Sequence, residues 1–530
     1  MTRWVMVADL GRCVGCQTCT AACRHANATS PAVQWRKVLD IEVGTYPNVR
    51  RTFVPVGCMH CIDPPCMHVC PSTATGQRAD GIVTIDYELC IGCAYCMVAC
   101  PFQARYKVTQ PAFAYGERMQ NEAQRHAPAR LGVAQKCTFC SDRVDFGLEN
   151  GLTPGVDPQA TPACVNSCIA DALHFGDVED PESNVSVLLK ENKHFRMHDE
   201  LKTGSGFYYL WESAEGDSKA GSEAPDRGLQ PGLTGIAPVL QSQWDWRAAS
   251  NFIGGGSGTG LLIATAVASF AGVSIRPFGL LALALIGLGL FLAWLETSQP
   301  LRVLRNVFFH PQRSWMTRES LVAVALLPLG FAAVWLTSTT LISLAAISAL
   351  GFLYCQGQIL KAAKGIPVWR TERIVSLIMV TGLTEGVGLY LVVSRALNSW
   401  LTPVAVYEAL WLVTIAAVVR GILWMAYRRV VELDAPTLAR DALAKAHSKT
   451  ILVGLGLPLA VLAVAVIFPA ITLRHLGSLA AVAGLGAVAG GWYMKFIIVL
   501  RAAFNQGYSI ERTPQRGTGG GGRGIKPGWA

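Results

Sequence analysis

Past residue 170 the sequence has a single cysteine, Cys355, and ahead of residue 250 it has almost no apolar run long enough to cross a bilayer. These shortages divide the 530 residues into unlike halves. Charge is scarce too: 15% Asp, Glu, Lys and Arg against 51% hydrophobic residues is a balance that soluble domains rarely show. The N-terminus lacks a long apolar leader core, a small-residue cleavage site and a twin-arginine signal. The expectation is a mature domain that starts at Met1 and begins in the cytoplasm. No glycine-rich phosphate loop follows a strand, which argues against a nucleotide fold. Histidine is sparse after residue 250: His310, His447 and His475 fall in loops or at span edges, so haem is not expected between the helices.

What the first half does have is sixteen cysteines in four groups of four: Cys13, Cys16, Cys19 and Cys23; Cys58, Cys61, Cys66 and Cys70; Cys90, Cys93, Cys96 and Cys100; and Cys137, Cys140, Cys164 and Cys168. The first and third read C-x2-C-x2-C-x3-C, a run that holds cubane iron–sulfur clusters and lends its fourth thiol to a partner cluster. Structural zinc takes two C-x2-C pairs and has no use for three thiols at steps of three. Disulfides are disfavoured in a reducing compartment. The groups ending in HVCP and VACP lie close in sequence and pair with each other, leaving the outer two to close around them. Four [4Fe-4S] clusters are thus expected: Cys58, Cys61, Cys66 with Cys100; Cys90, Cys93, Cys96 with Cys70; Cys13, Cys16, Cys19 with Cys168; and Cys137, Cys140, Cys164 with Cys23. The alternation of GIVTIDYELC predicts a strand leading into a cluster loop. His25, His60 and His68 neighbour ligands, and the simpler reading makes them surface residues.

The segments GRCVGCQTCTAAC, VGCMHCIDPPCMHVCP, ELCIGCAYCMVACPFQARY and QKCTFCSDRV followed by PACVNSCIADALHFGD resemble the four-cluster electron-transfer subunit of the dimethyl sulfoxide reductase family. The resemblance spans roughly residues 3–212. It implies an α+β ferredoxin-like iron–sulfur domain that serves a catalytic subunit carrying molybdenum or tungsten pterin.

Residues 213–246, rich in Gly, Ser, Pro and Glu, read as a flexible linker. Residues 247–510 then read as an all-α polytopic membrane bundle of about eight transmembrane helices, and residues 511–530 as a glycine-rich tail. Eighteen Lys and Arg lie on the side shared with the N-terminus and three on the other, which places both termini in the cytoplasm at the inner membrane. The same asymmetry accounts for the net charge of +9, so nucleic acid is not an expected partner.

Without haem, electrons from the clusters need a diffusible membrane acceptor, and quinone is the expected one. Ionisable residues at membrane depth mark where to look. Glu385 lies within the fifth span, where a proton-relay role and a packing role stand level. Glu296 and Glu319 bracket an arginine-rich loop containing Arg302, Arg305 and Trp315, which are quinone-region candidates. SQPLRVLRNV, SWMTRES and RAAFNQGYSI resemble the membrane anchor of the same family. That resemblance implies a quinol-binding role for Glu319, while the position of Glu296 is held by histidine in the best-known anchor.

The reading that results is electron transfer between a molybdenum or tungsten catalytic subunit and quinone, with a substrate such as sulfite or an acyl-CoA oxidised. The alternatives are a stand-alone ferredoxin:quinone oxidoreductase and a non-enzymatic redox-sensing or assembly protein.

Overall fold

The computed structural model describes residues 2–31, 33–111, 113, 116, 119–120, 128–213, 236–306, 312–397, 402–514, 522 and 524–529. The chain forms two compact units: Met1–Val239 together with Asn505–Ala530, and Leu240–Phe504.

The first unit is built on a four-stranded sheet. Its strands are β1 (Trp4–Asp9), β8 (Leu173–Asp177), β9 (Asn192–Phe195) and β10 (Phe207–Ser213), in the order β8-β1-β10-β9. β1 runs parallel to β10 and antiparallel to β8, so Met6 sits opposite both Phe207 and Phe175. Alternate residues of β1 face opposite ways, as the pleat requires. Trp4, Met6 and Ala8 join the core that contains the cysteines, whereas Val5 and Val7 pack with Val185 and Leu210. Three two-stranded ribbons complete the unit: β2 (Lys37–Thr45) with β3 (Asn48–Val56), β4 (Thr75–Gln77) with β5 (Val83–Ile85), and β6 (Tyr106–Lys107) with β7 (Ala134–Gln135). The strand expected in GIVTIDYELC is thus present as Val83–Ile85, which ends before Cys90.

The C-terminal segment from Asn505, expected as the end of the membrane bundle up to residue 510 and as a tail from 511, belongs to this unit by its contacts. Ile236, Tyr508, Ile510 and Ile525 lie in the same core as the cysteines. Ile510 and Ile525 exchange backbone hydrogen bonds, and the Trp529 indole N–H donates to the Gln506 carbonyl. The composition conceals this because a few separated residues of the segment, Tyr508, Ile510, Ile525 and Trp529, are buried while the sequence between them carries little pattern. Residues 214–235, the bulk of the expected linker, lie outside the described residues.

The second unit is all helical. Among the described residues eight helices are long and apolar enough to span a membrane: Trp246–Ser269, Ile275–Glu296, Trp315–Leu336, Thr339–Ala362, Arg373–Ala396, Pro403–Leu433, Thr437–Ile467 and His475–Arg501. The first and fifth helices approach closely through paired small residues. A methyl group on Gly260 would lie 2.0 Å from the Gly382 carbonyl oxygen, and one on Gly386 would lie 2.0 Å from the Gly260 carbonyl carbon. Such contact is how apolar helices associate where lipid removes the hydrophobic drive.

Candidate functional site

Each cysteine group is shaped by the same local backbone. In the first C-x2-C turn of each group the residue before the second cysteine is left-handed: Gly15 at φ 72°, His60 at 41°, Gly92 at 69° and Phe139 at 54°. Glycine takes this conformation without cost, whereas His60 and Phe139 take it at about 1–2 kcal/mol each. At Gly15 space also matters, since a Cβ there would fall 2.4 Å from the Phe53 ring. The third cysteine is the second residue of a helix in every group: Cys19 in Thr18–Asn27, Cys66 in Pro65–His68, Cys96 in Tyr95–Ala99 and Cys164 in Ala163–Asn166. After the last cysteine, Thr73, Gln103 and Asp171 are again left-handed, each three residues on.

This repeated turn gathers thiols distant in sequence. The thiols whose charges act on Cys61 are Cys58, Cys66 and Cys100; on Cys90, Cys70; on Cys23, Cys137, Cys164 and Cys140; and on Cys19, Cys13 and Cys168 as well as Cys164. The fourth thiol of each run therefore lies near another run. We call the four assemblies the Cys58, Cys90, Cys137 and Cys13 sets, each including its lent thiol. They follow one another: Cys96 of the Cys90 set senses Cys66, Cys137 senses Cys58, and Cys19 of the Cys13 set senses Cys164.

The surroundings fit iron–sulfur clusters. All seventeen cysteines are free thiols, and Cys16 alone among them is exposed. Cys13, Cys16, Cys19 and Cys168 line one cavity of about 330 Å³, its mouth included, whose other walls include Val14, Val38, Pro55 and Leu173. Backbone amides point at sulfur: Thr75 N–H lies 3.5 Å from Cys70 Sγ, Ala134 N–H 3.5 Å from Cys90 Sγ, and Ala172 N–H 3.2 Å from Cys168 Sγ. Burial pushes the thiols of Cys96, Cys100 and Cys137 up to about 12, so iron must supply the drive to deprotonate them.

Three buried cations lie among the thiols, and sequence reasoning missed all of them. Arg36, Arg105 and Lys136 are 0%, 5% and 1% exposed. Burial pushes Arg36 down, but Cys164, Cys137, Cys19 and Cys23 outweigh it and hold the guanidinium above its ordinary value. Its Nε and Nη1 are buried without a hydrogen-bond partner among the described residues, an opening that cluster sulfur would fill. Arg105 Nη2 donates to Cys66 Sγ at 3.0 Å.

Of the histidines beside ligands, His60 is not a surface residue. It is 1% exposed, stacks on Phe139 at 3.7 Å and accepts the Val83 N–H at 3.0 Å. The left-handed turn swings its ring inward, which residue type alone does not reveal. His68 is half exposed and pairs with Asp63.

In the helical unit the structure separates the quinone candidates. Glu319, five residues into the third membrane helix, is 3% exposed and has no salt bridge among the described residues. Asn251 Nδ2 lies 3.5 Å from its Oε1, and Gln356 Nε2 donates to the Asn251 carbonyl at 2.9 Å. Glu385 is fully buried too, but it is ion-paired: Lys495 Nζ and Ser257 Oγ each sit 2.7 Å from its Oε2. Glu296 accepts the Asp245 N–H at 2.8 Å, at the entry of the first helix. Trp315 carries Arg318 over its ring at 4.1 Å and meets Tyr354 edge-on. Arg302 lies in the short helix Pro300–Asn306, while the Arg305 side chain lies outside the described residues.

Fold and site define a multi-cluster iron–sulfur electron-transfer protein joined in one chain to a polytopic helical bundle. A 4Fe-4S dicluster domain matches residues 49–116. A selenate reductase subunit of Mesobacillus selenatarsenatis is 40% identical over 224 residues, covering 39% of this chain and 72% of the relative. A sulfite dehydrogenase subunit of Allochromatium vinosum is 35% identical, covering 40% of this chain and 83% of the relative. The iron–sulfur cluster-binding subunit of menaquinone reductase from Nitratidesulfovibrio vulgaris is 34% identical, covering 41% and 94%. The chain belongs to the family of iron–sulfur subunits of dimethyl sulfoxide reductase-type complexes, over its N-terminal part, with additional C-terminal helices that fit a membrane anchor. It transfers electrons through [4Fe-4S] clusters as part of an oxidoreductase complex.

Proposed function

We propose that the chain carries electrons between a molybdenum or tungsten catalytic subunit and membrane quinone, through four clusters held by the sixteen paired thiols. The carrying observation is the meeting of every fourth thiol with a different run. Bound clusters supply single-electron transfer. Reduction of a quinone takes two such electrons and two protons, and Glu319 is the carboxylate suited to pass a proton to a quinone oxygen. It is buried, approached by the Asn251 amide and not paired with a cation among the described residues, whereas Glu385 is engaged by Lys495. Glu296, Arg302, Arg305 and Trp315 belong to the same loop region and shape its approach. Electrons run from substrate to quinone in this reading, with an oxidisable substrate such as sulfite or an acyl-CoA. Its support is that relatives include a sulfite dehydrogenase subunit and a menaquinone reductase subunit. The excess of Lys and Arg on one side of the spans orients the iron–sulfur unit and both termini to the cytoplasm at the inner membrane.

Mass spectrometry and metal analysis of the complex isolated gently from native membranes test the proposal. A co-purifying large subunit with molybdenum or tungsten is expected. Repeated isolation of this chain alone, active toward quinone and fully loaded with iron, would favour a stand-alone quinone oxidoreductase.

A further inference from the structure

We propose that Arg105, Lys136 and Arg36 are junction cations, each lying between two successive thiol sets and raising the reduction potential of both clusters it adjoins. The proposal rests on the four-cluster reading above. It concerns residues that neither bind iron nor touch substrate, so theirs is a positioning and tuning role.

The geometry is clearest at Arg105. Its Nη2 donates to Cys66 Sγ of the Cys58 set at 3.0 Å, and its Nη1 donates to Thr75 Oγ1 at 3.0 Å. The backbone N–H of Thr75 points at Cys70 Sγ of the Cys90 set, 3.5 Å away, so one guanidinium lies between the Cys58 set and, through Thr75, the Cys90 set. Lys136 is anchored by the carbonyls of Val83 and Cys137, the latter at 2.6 Å. The thiols whose charges act on it are Cys58 and Cys66 of one set and Cys137 of the other, which makes this the next junction. Arg36 sits among Cys164, Cys137 and Cys23 of one set and Cys19 of the last. Its Nη2 reaches Met6 Sδ at 2.9 Å, its plane lies over Phe207, and its remaining nitrogens Nε and Nη1 have no hydrogen-bond partner among the described residues. Three junctions thus carry three cations.

None of the three forms a salt bridge with a carboxylate among the described residues, although all are buried. Burying a cation is costly unless opposite charge compensates it. The opposite charge available is that of the thiolates and of the clusters they bind, which becomes more negative by one on reduction. A fixed cation in a low-dielectric interior favours the reduced form, and net charge near a cluster is a recognised determinant of its potential. Placed between two clusters, the cation acts on both and levels the step between them.

The test is a redox titration followed by electron paramagnetic resonance, with iron content, on the complete chain in its complex carrying Arg105→Gln, Lys136→Gln or Arg36→Gln. In each fully loaded variant two clusters should move to lower potential, each by at least tenfold in its reduced-to-oxidised ratio, about 59 mV for a one-electron couple. The Arg105 and Arg36 variants should share no shifted cluster, and the Lys136 variant should share one with each. Shifts in one cluster or none, or the same pair shifted by all three, would overturn the proposal. Where a Gln variant loses iron, Arg105→Lys, Arg36→Lys or Lys136→Arg decides. Full iron and unaltered potentials there support a requirement for charge, and loss of iron there too would show packing instead and overturn it. Fewer than four clusters in the unsubstituted protein would refute the four-cluster reading itself, a failure distinguishable from that of the cations.

Discussion

Replacing Cys96 by serine removes one of the four thiols of the Cys90 set, and the twinned arrangement makes a specific demand on the result. One cluster should be lost or converted, with iron falling by about one to four atoms per chain. Iron determination and cluster spectroscopy check this, and loss of a single cluster is expected because each thiol serves one set. A second residue-scale effect concerns Glu200. Burial pushes its carboxyl up, but the hydrogen bond from His198 and the charges of His198 and Lys526 pull it down to about 2. A carboxyl depressed in the folded state contributes stability above its unfolded value of about 4.3, and that contribution is lost as pH falls toward 2. Protection of the C-terminal segment from hydrogen exchange should therefore weaken between about pH 4 and about pH 2, and Lys526→Met should narrow that dependence. The cysteines were legible because ligand spacing is dictated by the cluster. The junction cations were not, since an Arg in QWRKV or a Lys in AQKC looks like any solvated charge until folding buries it. The inward turn of His60 was hidden for the same reason.

At the scale of elements, the eight apolar helices could be read from the sequence because bilayer thickness sets the length of an apolar run. The docking of the last segment could not, because isolated apolar residues among glycines show no period. Tyr508 is the main anchor there: it is 1% exposed, carries Lys37 over its ring and donates through its hydroxyl to the Phe102 carbonyl at 3.3 Å. Tyr508→Ala should cost the iron–sulfur unit about 3–5 kcal/mol, the range for losing a large buried aromatic side chain, measurable as a lower denaturant midpoint. In the helical unit, Lys495→Met leaves Glu385 buried without its partner and should cost about 3–5 kcal/mol. Adding Glu385→Gln should restore much of that stability if the pair is structural, as thermal unfolding in detergent would show.

For the whole molecule, fusion of an iron–sulfur unit to a helical bundle makes electron transfer and membrane attachment properties of one chain. Both ends of that chain contribute to the iron–sulfur unit, since Asn505–Ala530 folds with Met1–Val239. The central claim is that the clusters exchange electrons with quinone at a site that includes Glu319. The most direct measurement is reoxidation of the chemically reduced complex in lipid discs on rapid mixing with a quinone analogue, followed by cluster absorbance. The account predicts that all clusters reoxidise and quinol accumulates, and that Glu319→Gln slows the reaction at least tenfold, about 1.4 kcal/mol in the barrier, with iron content unchanged. Clusters that stay reduced beside excess quinone, or a Glu319→Gln protein that reoxidises at the unaltered rate, would contradict it.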